Sequence, residues 1–300
     1  MYQNIAYHKK TGTMHVWDDE LGHKTFKFKP YGYIKEARTL VDLYYESDLV
    51  STNHSDFFFD IETAKDENGY STPEDVRTEI TSIAYYDKVG KDRRVLVLDK
   101  ENRLPDDIIY GDNYTVEVFD NEANLLIKFI NYFSEIQPTV ITGWNTDGYD
   151  IPYLINRIKK VLGPKSANKL SPVGIVEWNK HRERYKIFGV SSLDYIKLYK
   201  NFTYTELPNY RLDTVGKTEL GKGKIELDEK LQLINLARTI CHKGHVPYED
   251  VYYASKYLDG AAIVDLKRNG FVAPNKQFRF VEDETHDKLA GAYVMPPIPG

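Results

Sequence analysis

The stretch Phe57-Phe58-Phe59-Asp60-Ile61-Glu62-Thr63 constrains the fold of this chain more than any other. A β-prone aromatic run ending in two carboxylates one residue apart describes a buried strand that delivers two negative charges to one spot. Side chains two apart share a strand face, so Asp60 and Glu62 point together. Neighbouring carboxylates repel and raise each other's pKa unless a cation lies between them. A hard divalent ion, Mg²⁺ or Mn²⁺, suits such oxygen ligands, and the pattern points to metal-dependent phosphoryl transfer. The alternative is a plain strand end or a helix N-cap. Asp-x-Glu recurs at Asp18/Glu20, Asp99/Glu101 and Asp120/Glu122, but there among polar neighbours, where solvated surface acids are expected.

A second constellation lies at 139–158. Val140-Ile141 is a short buried strand, Gly143 breaks it, and residues 145–148 form a polar turn. From Tyr149 onward Ile151, Leu154, Ile155 and Ile158 recur at helical spacing, with Pro152 tolerated in the first turn. Asp150 therefore sits at a helix start, where exposed amides favour a carboxylate. Taken by position alone it is an N-cap.

Asn145-x-x-x-Tyr149-Asp150 after Thr142-Gly143-Trp144 is a rarer pattern than Asp-x-Glu. With Asp60-Ile61-Glu62 it resembles the first two motifs of the proofreading exonuclease segment of family B DNA polymerases, phage and archaeal branches, over roughly Phe26 to Gly300. The resemblance implies an α/β, RNase H-like domain in which a mixed sheet is flanked by helices and four acids hold two metal ions. Carried over by motif, Asp60, Glu62 and Asp150 are the catalytic, metal-binding acids, with Glu62 nearest the attacking water. Asn145, Tyr149 and Trp144 bind or frame the terminal nucleotide. The implied activity is 3′→5′ hydrolysis of single-stranded or frayed DNA ends during replication, with Mg²⁺ or Mn²⁺. A polymerase palm polypeptide or other replisome proteins are the implied partners.

The chain departs from that family at the third motif, Tyr-x-x-x-Asp. No tyrosine after Asp150 has an aspartate four residues on, and the one literal match, Tyr44/Asp48, precedes the first motif. A stretch looks absent near Lys224, and a join is placed near Arg38 and Thr39. Asp194 and Asp213 are the only substitutes considered, with capping or pairing the favoured role for both. Neither Asp-x-x-Ser-Leu-Tyr-Pro nor Asp-Thr-Asp of the family's polymerase site is in these 300 residues. The alternatives are a catalytically impaired DNA-binding or scaffolding fragment and one piece of a split polymerase.

The expected organisation is a shortened, β-rich N-terminal segment at 1–50, the exonuclease-like domain at 51–228, and helices leading toward the palm at 229–300. Strands are predicted near 57–62, 79–86, 94–98, 116–119, 139–142, 173–177, 185–189 and 191–194. The run Ser191–Lys200 looks like the strand that follows in the family. Helices are predicted at 122–135, 151–162, 229–243 and 247–268. No run of 18 apolar residues and no apolar signal core occur, so a cytoplasmic protein without a membrane span is expected. The lone Cys241 lies at helical spacing in an apolar run and reads as a buried structural thiol. None of the eight histidines, His242 and His245 included, shows zinc spacing, and ordinary surface positions are expected.

Net charge is −5, yet residues 151–224 carry 15 Lys and Arg against 6 Asp and Glu. Aromatics at 178, 185, 195 and 199 interleave with these cations. Such a segment would neutralise phosphates and stack unpaired bases, or it is a solvated helix face with a charged hairpin.

Overall fold

The computed structural model describes residues 1–271 apart from 9, 21, 28–46, 53, 105–106, 112, 205 and 221–226. The join near Arg38 and Thr39, Tyr44, Lys224 beside the stretch that looks absent, and residues 272–300 lie outside the described residues.

Strands β1 (Tyr2–His8), β2 (Thr13–Asp18) and β3 (Gly22–Lys27) form an antiparallel meander. Strand β4 (Asp56–Thr63) is followed by a small hairpin of β5 (Lys65–Asp66) and β6 (Gly69–Tyr70), then by β7 (Ile80–Asp87), β8 (Asp92–Leu98), β9 (Ile108–Tyr110) and β10 (Thr115–Phe119). Helix α1 (Glu122–Ile136), β11 (Val140–Gly143) and α2 (Asp150–Leu162) come next. A hairpin of β12 (Val176–Asn179) and β13 (Arg184–Ile187) leads to β14 (Ser191–Asp194). Helices α3 (Tyr195–Phe202), α4 (Leu212–Leu220), α5 (Leu227–Leu231), α6 (Leu233–Lys243) and α7 (Ala254–Arg268) complete the described chain.

Seven strands make one mixed sheet in the order β14-β11-β4-β7-β8-β10-β9. β14, β11 and β4 run parallel, and β7 reverses against β4. The aromatic run decides where this sheet is thickest. Phe57, Phe59 and Ile61 alternate into one face and meet Leu125, Phe129 and Phe133 of α1 and Ile151, Leu154 and Ile158 of α2. Phe57 touches Tyr85, Phe129 and Phe133 at ring-centroid distances of 4.9, 6.2 and 5.3 Å. Asn121 caps α1 by accepting the Asn124 N–H.

A second core forms where the N-terminal meander meets the C-terminal helices along the β11–β14 edge. Tyr2, Met14, Val140, Leu193, Tyr199, Ala237, Cys241 and Tyr248 pack there. Cys241 is buried, as its spacing suggested. The histidines differ from expectation. His242 and His245 are 1% and 2% exposed, because both lie on the side of α6 and its C-terminal turn that closes this core. Burial is affordable because the Tyr248 hydroxyl lies 3.0 Å from His242 and 2.6 Å from His54, and Asp48 lies 3.1 Å from His245.

Other expectations also change. Asp99 and Glu122 are buried rather than solvated. Glu122 accepts the Ile80 N–H and a bidentate pair from Arg157, joining α1, β7 and α2, and Asp99 caps a loop through the Leu104 N–H. The run at 191–200 is strand only to Asp194, whose carboxylate accepts the Ile196 N–H and starts α3. The helix expected over 229–243 is interrupted at Gln232, left-handed at φ 52°, and 248–250 is a separate 3₁₀ turn ahead of α7. Among the described residues no helix is long and apolar enough to cross a membrane.

Candidate active site

The three parallel strands end side by side at their carboxyl termini, where α/β sheets characteristically bind ligands. Asp60 and Glu62 lie there, on the exposed face of β4, while Ile61 between them is buried. The ladder from β4 to β11 stops at Phe58–Thr142, so the backbone of β4 beyond it needs another partner. Gly143 lets β11 pass close by: a Cβ there would meet the Phe59 carbonyl at 2.4 Å and Thr146 Cγ2 at 2.6 Å. The chain then reverses through Asn145, left-handed at φ 66°, whose carbonyl accepts the N–H groups of Gly148 and Tyr149.

Helix α2 begins at Asp150, with Tyr149 in the cap position, so Asp150 is not the N-cap of its own helix. Its Oδ1 instead accepts the Ile61 N–H at 3.1 Å, across to the strand residue between Asp60 and Glu62. That one bond joins two motifs 89 residues apart. Asp150 is 4% exposed. Burial, and then the Asp60 charge, push its acid up from 3.8 to about 7. Asp150 is therefore a carboxyl that gives up its proton only near neutrality, and a bound cation would favour its release.

Tyr149 lies beside these acids. Its hydroxyl is 3.1 Å from Thr63 Oγ1 and donates to the Ser71 carbonyl at 3.3 Å. Burial foremost, with the Asp150 and Glu62 charges adding to it, raises the phenol. Asn145 is exposed at the turn. Trp144 points the other way, into the second core, with its indole N–H on the Tyr210 carbonyl at 3.0 Å and its ring near Tyr195 and Tyr199.

Two further acids lie beneath the turn. Asp194 is fully buried and accepts the N–H groups of Asn145 and Asp147 at 3.1 and 3.2 Å, which is a structural role. Burial, then Asp147, raises its acid. Asp147 is buried too, and although burial opposes ionisation, Arg184 and Lys197 hold its acid below the usual value. Asp213 is exposed on α4. Asp147, Arg184 and Lys197 escaped the sequence reading because Asp147 sits in a polar-looking turn and the two cations in a run that reads as solvent-facing.

The basic segment is extensively neutralised from within. Arg157 pairs with Glu122, Arg182 with Glu249 and Asp250, Arg184 and Lys197 with Asp147, and Lys159 lies over Tyr185. Its cations at these positions hold elements together and leave less free charge than a count suggests.

The donor chemistry fits a divalent cation at Asp60 and Asp150: two hard oxygen ligands, one of them buried, with its acid raised by that burial and then by the other's charge. Glu62 shares the strand face. As the side chains stand, no three His, Cys, Asp or Glu groups among the described residues converge on one point.

A pH effect follows from the raised Asp150 acid. The folded chain keeps this proton where the unfolded chain has lost it, so this group's contribution to stability falls as pH rises from about 4 to about 7. His54 and His242, lowered chiefly by burial to about 2 and about 4, act oppositely below pH 6.5. They are common to parent and variant and cancel in the difference. Asp150→Asn is therefore expected to raise the metal-free melting temperature relative to parent by an amount that grows between pH 4 and 7, reaching several degrees. A difference independent of pH would contradict this placement of Asp150.

Comparison with known proteins gives three findings. Residues 28–215 match the family described as DNA polymerase family B, exonuclease domain. The DNA-directed DNA polymerase of Escherichia phage RB69 is 30% identical over 300 aligned positions, covering 80% of this chain and 32% of that protein. That of Enterobacteria phage T4 is 34% identical over 216 positions, covering 63% of this chain and 23% of that protein. The chain thus spans about a third of the first relative's length and about a quarter of the second's. Of the 300 positions aligned with the RB69 protein, about 60 face gaps in this chain, in keeping with the internally shortened sequence expected above.

Proposed function

The chain belongs to the exonuclease-domain family of the family B DNA polymerases, and from that premise we propose that it hydrolyses DNA from the 3′ end, as the proofreading portion of a replicative polymerase. The observation that carries this reading is the hydrogen bond from the Ile61 N–H to Asp150, which joins the acids of both motifs at the carboxyl ends of the parallel strands. The substrate class is a single-stranded or frayed DNA 3′ end. Asp60, Glu62 and Asp150 would hold Mg²⁺ or Mn²⁺. When bound, such an ion supplies a water of lowered pKa and offsets charge on a departing phosphodiester oxygen.

The chain's own residues do the rest. Asp150 holds or releases a proton at its carboxyl near neutrality, which couples the site to cation binding. Tyr149, braced by Thr63 and Ser71, walls one side, and exposed Asn145 faces the space where a terminal nucleotide would lie. Trp144 supports the turn from behind, and a contact with the nucleotide is proposed for Asn145 and Tyr149 ahead of it. Residues 1–50, 51–228 and 229–300 are proposed as the N-terminal segment, the exonuclease domain and the helices leading to a palm, with other replisome proteins as partners.

A second reading is favoured by one observation: with no three converging side chains among the described residues, the fold would bind a DNA end without cutting it. The test is to incubate the full chain with a 5′-labelled single strand and Mg²⁺ or Mn²⁺, with Asp60→Ala alongside. A ladder that disappears in the variant supports hydrolysis. Retention of the strand with no ladder at either metal supports binding alone and overturns the nuclease reading.

A further inference from the structure

We propose that Asp147 is a positioning residue for the acidic site: clamped by Arg184, Lys197 and Ser192, it fixes the turn from which Asp150 reaches β4. The proposal deepens the nuclease reading and rests on it.

The turn between β11 and α2 has no regular structure of its own, so its shape depends on what grips it. Two backbone N–H groups, of Asn145 and Asp147, go to the buried Asp194 carboxylate at the end of β14. The Asp147 carboxylate then takes three donors from three elements: Arg184 Nη1 at 3.0 Å from β13, Lys197 Nζ at 2.7 Å from α3, and Ser192 Oγ at 2.5 Å from β14. With its side chain only 3% exposed, Asp147 needs those partners, since a buried carboxylate without them is strongly unfavourable. Packing alone would be met by an apolar side chain. A charged clamp fixes direction as well as depth.

The clamp reaches further in both directions. Behind Arg184 stands Glu249 from the 3₁₀ turn before α7, 3.9 Å from Arg184, 3.5 Å from Arg182 and 3.9 Å from Lys186. Toward the site, the Ile151 N–H donates to the Thr146 carbonyl at 2.9 Å, tying the first turn of α2 to the residue beside Asp147. A shift of Asp147 therefore carries Asp150 with it. The C-terminal helical part, through Glu249, braces a site to which its described residues contribute no acid.

The test uses the full chain and Asp147→Asn, which keeps the shape and removes the charge. Hydrogen exchange in metal-free buffer is expected to accelerate about tenfold or more at amides 143–151 and at the Ile61 amide that Asp150 accepts, with the rest of β4 and α1 at parental rates. On a 5′-labelled strand, kcat is expected to fall about tenfold or more with KM within about twofold, as for a misplaced but intact site. Lys197→Met, at a half-exposed position that does not endanger folding, gives the same local pattern at about a third of the amplitude. Parental exchange at 143–151 in both variants overturns the proposal. So does equal acceleration throughout the sheet, which marks general destabilisation. Absence of Asp60-dependent cleavage in the parent removes the nuclease reading, and the exchange result still decides whether Asp147 holds the turn.

Discussion

Asp60→Ala and Asp150→Ala are each expected to slow release of nucleotides from a 5′-labelled single strand by about a thousandfold or more, with strand binding changed far less. The two acids come from different elements, the end of β4 and the start of α2, and the bond from the Ile61 N–H to Asp150 ties the second to the strand residue next to the first. Removing either leaves the other without the partner that makes the pair a cation ligand. Residues that act as a unit are non-additive, so the double variant should be about as slow as the slower single one. Timed gel analysis of the products measures this directly. Loss of less than about tenfold in both variants would mean that cleavage, if present, uses other groups.

The largest stability effect is expected at Phe57. Its ring is fully buried, faces Tyr85 of β7 and meets Phe129 and Phe133 of α1. Phe57→Ala removes that contact area and leaves a cavity that the sheet and helix cannot close, a loss of about 3–5 kcal/mol of unfolding free energy. Phe58, half-buried on the other face, should lose roughly half as much when truncated. Urea denaturation followed by near-ultraviolet circular dichroism separates the two. Equal losses at both positions would mean that β4 does not present opposite faces to core and site as described.

The parts of this molecule legible in the sequence are those with a local period. The alternation of Phe57, Phe59 and Ile61 announces β4, and the three- and four-residue spacing of Leu125, Phe129 and Phe133, or of Ile151, Leu154 and Ile158, announces α1 and α2. The link between Ile61, beside Asp60, and Asp150 was legible only through resemblance, since nothing local links residues 89 apart. Helix α3 was hidden because Ser191-Ser-Leu-Asp-Tyr continues a strand pattern, and only the cap made by Asp194 ends it. The clamp on Asp147 was invisible for the same reason as the buried histidines. Its donors Arg184 and Lys197 are 37 and 50 residues away, and a polar residue in a turn reads as solvated until the fold brings its partners in. Charge counting misled in like manner, because Arg157, Arg182 and Arg184 bind acids of this chain.

Mn²⁺ titration of the metal-free full chain, read by the electron paramagnetic resonance signal of the free ion, bears most directly on the shared acidic site. The parent should bind Mn²⁺ saturably at neutral pH, and Asp60→Ala and Asp150→Ala should each weaken that binding by about tenfold or more. Identical Mn²⁺ binding in parent and both variants, or none in the parent, would show that the carboxyl groups at the end of β4 and the start of α2 do not hold a cation between them.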